Sequence, residues 1–476
     1  MHSQLVVLGG GPGGYAAAFL AADEGLEVTL LESEGRLGGT CLLRGCIPSK
    51  ALLHVAKVIS EAQELTHDWG VQFTAPSISI DKVRERKEKV ISTLSGGLSQ
   101  LAKRRNVRVI KAKGVFESNT SIRLEGDDPS IPAEKQITFD YCIVATGSTP
   151  AMPPAFQIGS PLVMDSTGAL QLTDIPKTLL VVGGGYIGLE MGTVYANLGS
   201  KVSVVELTDG LLQGADRDLV KPLHKRLESL FEKRIYLNTK VGSMAEVDGQ
   251  VEVTFEGPGK FGHERFDRVL VSVGRRPTSR GIGLENTKIV TDQRGFIPCD
   301  SQQRTAEPNI FAIGDVSGEP MLAHKASHEA KVAVEVILGE PVTFDKAAIP
   351  AVVFTDPEIA WAGLTEDQAK KQGVTVDVET YPWAASGRAQ ALGRTDGLTK
   401  WLVDPETHRV LGCGIVGPGA GELIAEAVLA IEMGCEVRDL TEAIHPHPTL
   451  SETLMNAGEV HFGTATEIYK PKRQHQ

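Results

Sequence analysis

An α/β chain with two Rossmann-like dinucleotide-binding domains and a C-terminal α+β domain is predicted by three observations. A glycine-rich strand–turn–helix unit near the N-terminus recurs almost unchanged in mid-chain. Strand-like runs then end on glycines or acids, and the last third alternates strand and helix without any such turn.

The repeat comes first because it places everything else. Residues 5–8 form an apolar strand that runs into Gly9, Gly11 and Gly14, a small-residue helix follows, and a second strand at 28–31 ends at Glu32. Residues 179–206 repeat the plan with Gly183, Gly185 and Gly188, and their second strand ends at Glu206. A lone G-x-G-x-x-G says little, but strand before, helix after and an acid about 20 residues on are the context of a dinucleotide site. The first glycine makes the tight turn, the second admits a pyrophosphate to the backbone, and the third lets helix pack on strand. The helix start then presents unpaired N–H groups to the phosphates. An acid at the second strand's end accepts from a ribose hydroxyl and repels a 2′-phosphate, so Glu206 favours NAD over NADP. Without the duplication, glycine turns in an ordinary βαβ unit would explain the pattern as well.

Later strands point to the same two sites. Residues 141–144 run into Ala145, Thr146 and Gly147, and residues 268–273 run into Gly274. Residues 310–313 end at Gly314 and Asp315, an acid that reads as buried at a strand end and is either a ligand contact or a turn residue. Linkers follow from proline: Pro150, Pro153, Pro154 and Pro161 separate the first module from the second, and residues 341–350 precede the last domain. There, strands are expected at 352–354 and 412–416 and helices near 365–372 and 421–433.

Composition excludes several classes of function. The 476 residues suffice for several domains. Hydrophobic residues make up 41% and charged residues 23%, which argues against wholesale disorder. The 51 glycines show no three-residue period, so collagen is out. A formal charge of −12 argues against nucleic acid. The most apolar stretch, 179–196, is broken by Gly183, Gly184, Gly185, Gly188 and Glu190, so no membrane span is expected. With no basic region ahead of residues 5–8, neither a secretory signal nor a transit peptide is expected, and a cytoplasmic location follows.

Six cysteines in so long a chain make no disulfide framework, but Cys41 and Cys46 lie close together. In a regular helix, residues five apart are separated by about 7.5 Å along the axis, beyond the ~7 Å Cα limit of a disulfide. Bridging them requires a distorted helix start, which Gly38, Gly39, Gly45 and Pro48 can supply, and a helix N-terminus activates a thiol. Two inert cysteines or half a zinc site are the alternatives at this point. At the other end, His445-Pro446-His447-Pro448-Thr449 precedes Glu452. A histidine oriented by a carboxylate suits thiol deprotonation near neutral pH, while Thr449-x-x-Glu452 also reads as a helix capping box.

These segments resemble one family. Gly39-Thr40-Cys41 with Gly45-Cys46-Ile47-Pro48-Ser49-Lys50 is similar to the redox-active disulfide of the pyridine nucleotide–disulfide oxidoreductases, most closely their dihydrolipoyl-oxidising branch, and the resemblance spans essentially the whole chain. It implies an FAD domain at 1–150, an NAD domain at 151–275, a central segment at 276–346 completing the FAD domain, and an interface domain at 347–476. It implies that Cys41 exchanges with a dithiol substrate, that Cys46 lies against the flavin as the charge-transfer thiolate, and that Lys50 sits near the flavin ring and pairs with Glu190. His447 matches the catalytic base and Glu452 its partner, with His445 in no required role. Further flavin contacts implied are Gly9, Gly11, Gly14, Glu32, Gly39, Thr40, Gly114, Ala145, Thr146, Gly147, Asp315, Met321, Leu322, Ala323 and His324. For NAD they are Gly183, Gly185, Gly188, Glu190, Glu206, Val241 and Gly274.

The base reaches the neighbouring subunit's disulfide in that family, so a homodimer with a shared active site is implied. The implied partner is a lipoyl-bearing acyltransferase or lipoyl carrier protein of a 2-oxo acid dehydrogenase complex or glycine cleavage system. The chain departs from the family pattern at Leu43-Arg44, where Asn-Val is common; Arg44 alters the local electrostatics or the substrate's approach, or simply reaches solvent. Glutathione and trypanothione reductases would want arginines at the position of Glu206, and mercuric and large thioredoxin reductases a further C-terminal cysteine pair. A soluble transhydrogenase would not need both Cys41 and Cys46. A flavin-bound docking subunit without turnover would need neither the cysteine pair nor Lys50, His447 and Glu452.

Overall fold

In the computed structural model, which describes residues 1–469, the apolar runs become parallel strands buried on both faces, as a sheet covered by helices requires. In the first sheet His2–Leu8 lies between Val28–Leu31 and Gln136–Val144, parallel to both. Leu5, Val6 and Val7 are fully buried. Lys113–Ser118 and Ser121–Glu125 extend this sheet as an antiparallel edge. Ile310–Ala312 returns from much later in the chain to pair with Gln136–Val144. The helix Pro12–Asp23 buries Gly13, Gly14, Ala17, Ala18 and Ala21 against the helix Ala323–Ile337; only residues this small permit so close a packing.

The second parallel sheet has Thr178–Val182 at its centre, between Lys201–Val205 and Arg268–Val271. An antiparallel sheet of Lys240–Val247, Gln250–Glu256 and Gly262–Phe266 lies beside it. Arg268–Val271 stops two residues short of the expected end; just beyond it Ser272 N and Oγ both donate to Val182 O, at 2.8 and 3.0 Å. Two short strands, Ser148–Pro150 and Arg275–Pro277, form a ribbon between the modules.

The C-terminal unit is richer in strand than its sequence suggests. Beside Ala351–Val353 and Val410–Gly417 it contains Glu358–Gly363, Asp377–Pro382 and Leu398–Val403 in one antiparallel sheet. The expected helices are present as Glu366–Gln372 and Ala420–Glu432. Of the span 347–476, residues 470–476 lie outside the described residues. Among the described residues, no helix is long and apolar enough to cross a membrane.

One apolar core crosses all these units. Leu52, Leu53 and Ala56 of the long helix Cys46–Asp68 pack with Leu179, Val181 and Leu189 of the second module and with Val353, Ile359 and Val416 of the C-terminal sheet. An ionic joint reinforces it. Lys400 is fully buried, and its ammonium meets Asp216 at 2.8 Å, Asp218 at 2.7 Å and Glu366 at 2.5 Å. Burial opposes its charge, but the three carboxylates outweigh burial and hold the ammonium above its ordinary range. The cluster resembles a cation site, and the lysine fills it. Lys400→Met is expected to destabilise the protein by about 3 kcal/mol, because an unpaired buried carboxylate remains at Asp216. The check is the midpoint of thermal unfolding.

Candidate active site

The two glycine turns have the same geometry. Gly9 and Gly183 take φ of +104° and +105°, open to glycine and strained for other residues. A Cβ on Gly14 would fall 1.8 Å from Gly9 O, and one on Gly188 2.4 Å from Gly183 O. At the middle positions the space is free: nothing lies within 4 Å of a Cβ built on Gly185, and only Gly39 Cα, at 3.7 Å, near one on Gly11. Both following helices, Pro12–Asp23 and Tyr186–Asn197, lack a side-chain cap, so their first-turn amides are left for another acceptor.

Each acid braces its own turn, a contact the sequence did not suggest. Glu32 accepts from Gly10 N at 2.8 Å and Glu34 N at 2.9 Å. Glu206 accepts from Gly184 N at 2.6 Å and from Thr208 N and Oγ1 at 2.9 and 2.8 Å. The remaining first-module positions differ in setting. Gly114 is buried on the edge strand Lys113–Ser118, where a Cβ would strike Leu8 at 2.6 Å, so its glycine is explained by packing. Thr146 Oγ1 donates to Thr278 O at 2.7 Å, and Gly147 has φ +71°. Asp315 is half-buried rather than fully buried, because it sits in a short 3-10 turn beyond the strand, and it accepts from Ser148 Oγ at 2.5 Å. Met321 and Leu322 lead into the helix that Ala323 starts, where His324 Nε2 meets Pro350 O at 2.8 Å. In the second module Val241 is buried in the antiparallel sheet, and Gly274 has φ +122°.

The cysteines sit on a broken helix. The short helix Gly39–Arg44 ends, Gly45 intervenes at φ −146° and ψ −114°, and Cys46–Asp68 begins with Cys46 in its first position. A Cβ on Gly45 would lie 2.8 Å from Thr40 O and 3.3 Å from Cys41 Cα, so only glycine lets the two turns close on each other. Gly39 in turn abuts Gly11, where a Cβ would approach Gly11 Cα to 2.5 Å, so the dithiol is pinned to the first glycine turn.

Both cysteines are thiols in this structure, and Cys41 donates to Cys46. That hydrogen bond, assisted by the charge of Lys50, lowers Cys46, which is exposed here, from 9.0 to about 7 against desolvation and Glu190; Cys41 is pushed well up as the donor. Lys50, one turn along from Cys46, is bound by both Glu190 oxygens at 3.0 and 2.9 Å. Phe354 N also donates to Glu190, at 3.0 Å, and the Lys50 ammonium stands 4.3 Å from the Phe354 ring centre. Arg44 reaches the surface, where it pairs with the exposed Glu34.

His447 and Glu452 are brought together, and among the described residues no hydrogen bond or ion pair joins either of them to Cys41 or Cys46. His447 Nδ1 lies 2.8 Å from Glu452 Oε1, while Thr449 N donates to Oε2 at 2.6 Å. The helix Glu452–Phe462 starts at Glu452 itself, with Ser451 as its cap, so the segment is not the full capping box that Thr449-x-x-Glu452 suggests. The His447 side chain is 78% exposed, with its second nitrogen unengaged among the described residues. His445 is the opposite case: 8% exposed, with one nitrogen on Ala443 O and the other on Glu426 at 2.7 Å, it anchors the loop.

Two glycine cradles, an adjacent dithiol and a separate C-terminal unit are the arrangement that comparison with known proteins recognises. The family pattern "Pyridine nucleotide-disulphide oxidoreductase" matches residues 3–330, and its dimerisation domain matches residues 349–457. The chain belongs to the pyridine nucleotide-disulphide oxidoreductases. Within this family it is 49% identical to a dihydrolipoyl dehydrogenase of Vibrio cholerae, covering 99% of this chain and 98% of that one. A dihydrolipoyl dehydrogenase of Geobacillus stearothermophilus is 43% identical, covering 98% of each. Among solved structures, the HOCl-induced flavoprotein disulfide reductase RclA of Escherichia coli, as its Cu(II) complex, superposes with a TM-score of 0.85 at 30% identity, covering 97% of this chain and 99% of that one. LpdA of Mycobacterium tuberculosis superposes at 0.87 with 27% identity, covering 96% and 99%. Oxidoreductases of this family use FAD and NAD, and the two uncapped helix starts behind Cβ-free turns fit two dinucleotides.

Proposed function

We propose that this protein oxidises protein-bound dihydrolipoyl groups to lipoyl groups with NAD as acceptor, the activity for which its full-length relatives are named. The observation that carries the chemistry is the Cys41–Cys46 pair on either side of Gly45, seated against the first glycine turn with Lys50 and Glu190 beside it.

In this reading the first cradle takes FAD and the second NAD, with Glu32 and Glu206 meeting the riboses and Asp315 the ribityl chain. When bound, FAD would supply the two-electron chemistry that links the dithiol to NAD, which the side chains cannot supply themselves. The protein's own steps are thiol chemistry. His447, oriented by Glu452, takes a proton from the substrate dithiol, whose thiolate attacks Cys41; the Cys41–Cys46 bond breaks and Cys46 leaves as a thiolate. The second substrate thiol then attacks the mixed disulfide, releasing the cyclic lipoyl disulfide and Cys41. A leaving thiol of lowered pKa speeds the first exchange, and the Lys50–Glu190 pair keeps a fixed positive charge beside it. An exposed base with an unengaged nitrogen supports a homodimer in which His447 serves the partner's dithiol. Lipoyl-bearing acyltransferases or carrier proteins are the matching partners, and the cytoplasm the matching location.

The test is an anaerobic titration with dihydrolipoamide followed by NAD. A yellow protein that gains long-wavelength absorbance with dihydrolipoamide and then yields NADH is the expected result. Reduction by NADH with indifference to dihydrolipoamide would overturn the lipoyl reading. Glu206→Ala is expected to raise KM for NAD about tenfold, the worth of one charge-assisted hydrogen bond, while narrowing discrimination against NADP; steady-state kinetics with both nucleotides check it.

A further inference from the structure

The ribbon between the two modules holds a buried chain of polar contacts. Its strands pair Arg275 with Pro150 and Pro277 with Ser148. Backbone bonds close both ends, from Ala151 N to Gly274 O at 2.9 Å and from Thr278 N to Gly147 O at 2.8 Å. Across it the Arg275 side chain folds back onto one residue: Nε donates to Ser148 Oγ and Nη2 to Ser148 O, both at 2.7 Å. Ser148 is 4% exposed. A hydroxyl has a single proton to donate. Because the guanidinium occupies its acceptor side, that proton is directed to Asp315 Oδ2 at 2.5 Å. Among the described residues Asp315 makes no other hydrogen bond, so its second oxygen is left for a ligand. The Ser148 carbonyl also accepts from Thr40 Oγ1, at 3.5 Å, on the helix that bears Cys41.

We propose that Arg275 is a positioning residue that, through Ser148, aims the Asp315 carboxylate at the bound flavin, so that a residue of the second module sets the grip of the first on its cofactor. The polarity runs one way, from guanidinium to hydroxyl to carboxylate. Without Arg275 the Ser148 hydroxyl is free to rotate, and Asp315 loses its orientation although no direct contact to it has been removed. The proposal rests on the reading of Asp315 as a flavin ligand, and the experiment separates the two.

Holoenzyme variants Ser148→Ala, Arg275→Gln, the double variant and Asp315→Asn are compared by the rate of flavin release in mild denaturant and by the midpoint potential of the bound flavin. Each single change is expected to speed release about tenfold, the worth of one charge-assisted hydrogen bond. The double variant should be no faster than either, because one chain is broken at two points. Arg275→Lys, which keeps the charge but cannot span both Ser148 oxygens, should fall between Arg275→Gln and the parent, and KM for dihydrolipoamide should not move. Wild-type release from Arg275→Gln and Ser148→Ala, with fast release from Asp315→Asn, overturns the relay alone. Multiplicative effects in the double variant also overturn it. Wild-type release from Asp315→Asn overturns the flavin reading of Asp315 and the relay with it.

Discussion

Cys46→Ser is expected to abolish NADH formation from dihydrolipoamide, a loss of about a thousandfold or more, because it removes the sulfur that must break from Cys41 and leave. Serine neither forms the exchangeable bond nor leaves as an anion near neutral pH. In the reduced protein the Cys46 thiol stands at about 7, lowered first by the hydrogen bond from Cys41 and then by Lys50. The sign follows directly: the anion prevails above about pH 7 and the thiol re-forms below it. The long-wavelength absorbance of the reduced protein should therefore rise through that pH and be missing from Cys46→Ser. Cys41→Ser should also be inactive but keep the absorbance, since a hydroxyl can still donate to Cys46. Dihydrolipoamide turnover by Cys46→Ser above a hundredth of the parent rate would remove the dithiol from the mechanism.

His447→Gln is expected to lower turnover by about 10²- to 10⁴-fold, the usual worth of a positioned general base. His447 Nδ1 is held by Glu452 at 2.8 Å, which leaves the other nitrogen, on a ring 78% exposed, to take the proton. His445→Gln is the control: that ring is buried and both nitrogens are engaged within its own loop, so its loss should act on stability rather than on the pH profile. A site shared between subunits, as proposed, makes a sharper demand. Chains carrying Cys46→Ser and chains carrying His447→Gln, each inactive alone, should regain turnover when co-expressed, because a hybrid dimer restores one complete site. Hybrids that remain inactive would place the base and dithiol of each site on one chain.

How far the site was legible depended on the range of the interaction. The glycine turns and the cysteine segment could be read because their constraints are local: a positive φ at Gly9, a helix packed against Gly14, and a break at Gly45 leave glycine no substitute. The pairing of Lys50 with Glu190 came from family resemblance, and no local pattern suggests it. Residues 398–403 were not read as a strand because Lys400 breaks the apolar alternation. That lysine is tolerated only because Asp216, Asp218 and Glu366 arrive from elsewhere in the chain. Asp315 was taken as buried from its strand, but it lies in the turn just beyond.

The sequence by itself determined the two glycine turns and the broken helix that carries Cys41 and Cys46, since each is written in residues that only one backbone conformation admits. The tertiary structure alone decided what those groups face. It set the exposed His447 ring against Glu452, turned Glu32 and Glu206 onto the glycine turns they follow, and joined Arg275 to Asp315 through Ser148. These contacts join residues distant along the chain, and a hydrogen bond between such residues leaves no periodic mark in either segment; only the packed sheets and helices bring its ends together.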